Sequence, residues 1–94
     1  MAAKNIAFDR ECLAARANQA FAIDFSNEDP GVPHNVHLFV ADPASNPGAR
    51  SLFQGTVITG PKTTTYNVKA LPAGMYFFHC DVHPAQMHGV FVVR

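Results

Sequence analysis

From Gln19 onward the chain is a succession of short apolar or alternating runs, each cut off by a cluster of turn formers. This constrains the fold more than any other feature. Gln19 to Ser26 puts Phe21, Ile23 and Phe25 on one side and Ala20, Ala22, Asp24 and Ser26 on the other, the period of a half-buried strand. Asn27-Glu28-Asp29-Pro30-Gly31 breaks it. Val36 to Val40 reads as a buried strand, and Pro43 to Gly48 as a solvated loop whose far end is pinned by Leu52-Phe53. Val57 to Thr59 is stopped by Gly60-Pro61, and Thr63 to Val68 is rich in β-branched residues with Thr64, Tyr66 and Val68 on one face. Leu71-Pro72-Ala73-Gly74 turns the chain into Met75 to His79, with Met75 expected in the core, and Gly89 to Val93 is a final strand. Upstream, Lys4 to Phe8 reads as a first strand with Ile6 and Phe8 on one face. Leu13 to Arg16 reads as an edge strand despite its alanines.

Seven prolines, six glycines and no helical periodicity fit an all-β fold of about eight short strands, an antiparallel sandwich or barrel. Ninety-four residues can enclose one core, so residues 1–94 are expected to be a single domain. The formal net charge is zero, which argues against a nucleic-acid partner, because phosphate recognition needs a basic face. No apolar run is long enough to span a bilayer, and Met1-Ala2-Ala3 starts no signal peptide, as expected of a chain already trimmed. Of the two cysteines, Cys12 is expected to be a small, partly buried apolar residue.

The chemistry is concentrated near the C-terminus, in Phe78-His79-Cys80-Asp81-Val82-His83-Pro84-Ala85-Gln86-Met87-His88-Gly89. A thiol, an imidazole and a thioether follow directly on an aromatic strand. Copper that alternates between two oxidation states favours two imidazoles and a thiolate, with a weak thioether as a further donor. Pro33-His34-Asn35-Val36 supplies the second imidazole, at the mouth of a strand. His37 competes with His34 but lies within the strand, where a packed or edge position is expected. His79 neighbours Cys80, so in an extended strand its side chain points to the other face, away from that metal. Both Met87 and His88 stand where a fourth donor would come from.

Pro33-His34-Asn35-Val36, Phe78-His79-Cys80-Asp81-Val82-His83-Pro84 and Met87-His88-Gly89 together resemble the cupredoxins, nearest to the plastocyanin, pseudoazurin and amicyanin branch of small blue copper proteins. The resemblance runs in order along nearly the whole chain. It implies an all-β, antiparallel Greek-key β-sandwich of the cupredoxin type, binding one copper ion through His34, Cys80, His83 and Met87. Asn35 would support the site by bonding across to the loop that carries the cysteine. It also implies one-electron transfer between redox partner proteins rather than enzymatic turnover, with a copper carrier or delivery module as the alternative. Partners would dock transiently near His83 on a rim of Gly31, Val32, Pro33, Pro84 and Ala85. The protein would be a monomer in an extracytoplasmic compartment, periplasmic or secreted.

Overall fold

The computed structural model describes residues 1–94 and contains ten strands and no helix. They are β1 (Ala2–Ala3), β2 (Cys12–Ala15), β3 (Phe21–Asn27), β4 (Pro33–His34), β5 (His37–Phe39), β6 (Ser51–Gln54), β7 (Ile58–Thr59), β8 (Lys62–Val68), β9 (Gly74–His79) and β10 (His88–Val93). Three sheets form, in the orders β1-β3-β8, β2-β10-β9-β5-β6 and β4-β7. Most ladders are antiparallel, as expected, but β1 runs parallel to β3 and β2 parallel to β10. The two larger sheets pack face to face as a β-sandwich, one of the two architectures that the turn pattern predicts.

The core lies between those sheets. Alternation along β3 buries Ile23 and Phe25, and the same period buries Tyr66 and Val68 on β8, Phe78 on β9, and Phe91 and Val93 on β10. Aromatic contacts knit the interior: Phe21 meets Phe91 at 5.3 Å between ring centroids, and Phe8 meets Phe78 at 5.5 Å. Fully burying a side chain of this size contributes about 1.5–3 kcal/mol relative to leaving it exposed. Gly89 is required in this packing. It faces Phe78 across the β9–β10 ladder, and a Cβ there would strike the Phe78 ring and the Glu11 carbonyl.

Three local expectations are corrected. Lys4 to Phe8 is a tight turn rather than a strand: Lys4 and Ala7 exchange backbone hydrogen bonds of 2.9 and 3.1 Å, and Asn5 and Ile6 both take positive φ, 55° and 54°. The Asp29 carboxylate accepts the amides of Asn5 and Ile6, which rewards a conformation that neither residue favours alone. Met75 is 69% exposed, because it shares the outer face of β9 with Phe77 and His79 instead of the inner face with Phe78. Cys12 is also exposed, on the edge strand β2.

Candidate metal centre

At one end of the sandwich, three donors predicted from sequence converge. His34 closes β4, Cys80 follows β9, and His83 lies in the connection from β9 to β10. Cys80 Sγ and one ring nitrogen of each histidine lie within 4.8 Å of one another. His34 Nδ1 is 3.7 Å from Cys80 Sγ, and the two imidazole centroids are 4.9 Å apart.

Met87 is fully buried in the same core cluster as Cys80. Two backbone bonds fold the loop back: Met87 N–H donates to the His83 carbonyl and Cys80 N–H to the Met87 carbonyl, each at 2.9 Å. His88 begins β10 with its side chain exposed and stacked on Phe77, 5.8 Å between centroids. The neighbours thus separate, Met87 inward and His88 outward.

His34 is oriented from behind. Its Nε2 lies 2.7 Å from Asp29 Oδ2, so Nε2–H donates to the carboxylate and the lone pair resides on Nδ1, the atom facing Cys80. Asp29 is held in turn by Asn27, whose Oδ1 accepts the Asp29 amide at 3.0 Å while its Nδ2 donates to the carbonyls of Val32 and Ile58 at 2.8 Å each. The Ile6 amide is the largest influence on Asp29 and, with His34 and the Asn5 amide, holds its carboxyl below the usual range against the opposing effect of burial. The carboxylate thus holds the imidazole with its Nδ1 lone pair turned towards Cys80 Sγ.

Asn35 bonds across to the loop that carries Cys80. Its Oδ1 accepts the Asp81 amide at 2.8 Å, tying the residue after Cys80 to the strand after His34, and its Nδ2 donates to Gly55 O at 3.0 Å. His83 supplies the clearest sign of a missing partner: its Nδ1 is buried with no hydrogen-bond partner in the protein. Leaving such an atom unpaired costs on the order of 1–3 kcal/mol, which a bond to a metal would remove. Two imidazole nitrogens, a thiol and a buried thioether form a soft donor set suited to one copper ion, whereas zinc seldom takes a thioether.

Residues 1–93 match the cupredoxin-like domain family. The chain belongs to the cupredoxins. Among solved structures, this cupredoxin is similar to auracyanin from Roseiflexus castenholzii, with a TM-score of 0.80 and 22% identity over 99% of this chain and 93% of the other. Auracyanin A from Chloroflexus aurantiacus, described as a "blue" copper protein, gives 0.81 and 23% over 94% and 89%. A reduced amicyanin variant gives 0.66 and 26% over 99% and 78%. Among curated proteins, the copper-containing nitrite reductase of Neisseria meningitidis serogroup A is 37% identical over 78 residues. That match takes in 81% of this chain but only 19% of the reductase, so the cupredoxin spans about a fifth of that relative's length.

Two carboxylates of this cupredoxin are absent from the sequence reading. Asp29 looks like a turn residue until the fold brings it under His34. Asp81 looks like a loop residue, yet it is the hub of a polar cluster. Its Oδ1 lies 2.8 Å from both His37 Nδ1 and His79 Nε2, and its Oδ2 accepts from Asn35 Nδ2 and Gln54 Nε2 at 2.9 Å each. Burial is the largest single influence and pushes the Asp81 carboxyl up. The bonds from Asn35, Gln54, His37 and His79 together outweigh it and hold the group well below the ordinary carboxylate range. The available signal was alternation: His79 and His37 were expected off the copper face, and a carboxylate beside Cys80 was there to meet them.

Proposed function

We propose that this cupredoxin transfers single electrons through a mononuclear type 1 copper held by His34 Nδ1, Cys80 Sγ, His83 Nδ1 and the Met87 thioether. The observation that carries the reading is the buried, unpartnered Nδ1 of His83, a residue with one ring nitrogen within 4.8 Å of Cys80 Sγ and of a His34 nitrogen. Copper bound there would supply a one-electron Cu(II)/Cu(I) couple. The chain's own part is to keep the donors still. Asp29 fixes the ring and tautomer of His34, Asn35 anchors the residue after Cys80, and the two backbone bonds of the β9–β10 loop hold His83 and Met87. A site that resists rearrangement between charge states lowers the barrier to gaining and losing an electron.

Electrons would pass through the outer edge of His83, a part-exposed residue whose Nδ1 faces inward. Exposed Gly31, Pro84 and Ala85 and half-buried Val32 and Pro33 offer a small apolar rim, suited to the weak contacts that let a redox partner leave quickly. Similarity to auracyanin and amicyanin favours a small carrier between partner proteins, acting as a monomer in an extracytoplasmic compartment.

The test is a visible spectrum after adding Cu(II). Wild type should develop an intense thiolate-to-copper band, and Cys80→Ser should lose it while keeping the fold. An intense band in Cys80→Ser sinks the assignment, and a protein that binds only Cu(I), without colour, would be the carrier. For the fourth donor, Met87→Leu should still bind copper with a raised potential, since losing a donor disfavours the more charged ion, whereas His88→Ala should leave the potential near wild type.

A further inference from the structure

We infer that His37, His79 and Asp81 form a second metal site, on the outer face of the five-stranded sheet, for a divalent ion of the zinc type. One nitrogen of each histidine and a carboxylate oxygen of Asp81 lie within 4.8 Å of one another. Rigid elements bring them together, because His37 on β5 and His79 on β9 are directly opposed in the antiparallel ladder and so share a face. That face is not the copper face: His79 and Asp81 flank Cys80 in sequence, and Cys80 turns inward to His34.

Two imidazoles and a carboxylate, with one position left open, are the donors of many zinc sites and are poor ligands for magnesium or calcium, which take oxygen. Zinc bonds of about 2.0–2.2 Å place neighbouring donors roughly 3.3 Å apart. The present 2.8 Å separations need to widen by only about 0.5 Å for the ion to replace two hydrogen bonds.

The surroundings are those of supported ligands. His37 Nε2 lies 2.7 Å from Ser51 Oγ, and a hydroxyl can switch from donor to acceptor, so His37 can free its Nδ1 lone pair without leaving Nε2–H unpaired. Asp81 Oδ2 stays fixed by Asn35 and Gln54 while Oδ1 faces the histidines. The open position has an approach, since His79 also lines a cavity of about 540 Å³ whose walls include Asp42, Phe77 and His88.

The test is calorimetric titration of the copper-loaded, oxidised protein with Zn2+. Wild type should bind one Zn2+ per chain with its visible band unchanged, which shows that the copper ligands are not displaced. His37→Gln and His79→Gln should each bind Zn2+ at least tenfold more weakly while keeping the band, and His88→Gln should bind as wild type does. No saturable Zn2+ binding by wild type, or undiminished affinity in both His37→Gln and His79→Gln, overturns the proposal and leaves the cluster as a hydrogen-bonded brace. Should those variants fail to fold, wild-type crystals soaked in Zn2+ decide the matter: anomalous density at the zinc edge between the three side chains supports the site, and its absence there overturns it.

Discussion

Asp29 illustrates how one side chain ties a distant turn to the metal centre. It accepts the amides of Asn5 and Ile6 and the Nε2–H of His34, so its negative charge lies one imidazole away from the proposed copper position. Asp29→Asn keeps the shape and removes the charge. Losing an anion there disfavours Cu(II) more than Cu(I), so the potential should rise, by on the order of 60 mV if the effect equals a tenfold shift in a one-electron equilibrium. The same change turns one of the two acceptor oxygens into an NH2 that faces an N–H donor, so at least one of these bonds is lost, and it should cost about 1–3 kcal/mol of stability. Potentiometry and urea unfolding read the two effects separately. A lower stability with an unaltered potential would mean that Asp29 braces the turn without acting on the metal. The four ligand candidates, by contrast, were legible as candidates because Cys80, His83 and Met87 fall on one loop, while His34 stands apart beside Pro33 at a strand mouth. Asp29 and Asp81 were not, since their partners are brought to them only by the folded chain.

At the scale of elements, turn chemistry and alternation placed most strands within a residue or two, because each segment bounded by Pro, Gly, Asn or Asp had a clear inner face. The failures share a cause. Lys4 to Phe8 has strand-like residues but obeys a carboxylate supplied by a loop far along the chain, and Met75 sits at the start of β9, where apolar neighbours in sequence face opposite ways. Parallel pairing of β1 and β2 was equally invisible, as it depends on which sheet edge each short strand finds. The β9–β10 ladder is where an element bears most directly on the site, because Gly89 follows Met87 closely and packs beneath the Phe78 ring. Gly89→Ala should therefore destabilise the fold by about 1–3 kcal/mol through overpacking. On a domain of this size each kcal/mol lowers the midpoint of thermal unfolding by roughly 4–8 °C. Calorimetry checks it, and a midpoint equal to that of wild type would show that Glu11 and Phe78 can give way without cost.

For the molecule as a whole, the interior couples stability to pH through Tyr66. Its ring stacks on Phe25 at 5.8 Å and meets Phe53 at 5.6 Å, and its hydroxyl donates to the Thr56 carbonyl at 2.7 Å. Removal from water is the main cause that pushes its phenol up to about 12, with the charge of Cys80 adding to the rise and a backbone contact at Val36 opposing it. An unfolded tyrosine loses its proton near pH 10, whereas folded Tyr66 keeps it to about 12, so across that interval the native state binds more protons than the unfolded one. Stability is fully present below pH 10 and falls as pH rises towards 12. Tyr66→Phe removes this slope along with the hydroxyl's hydrogen bond, which costs about 0.5–1.5 kcal/mol at neutral pH. The stability gap between wild type and Tyr66→Phe should therefore close above pH 10 and change sign before pH 12, because a shift from 10 to about 12 is worth about 2–3 kcal/mol, more than the hydrogen bond. Urea unfolding of both proteins at several pH values measures that gap directly, and a gap that stays constant up to pH 12 would mean that Tyr66 ionises as readily in the folded chain as in the unfolded one.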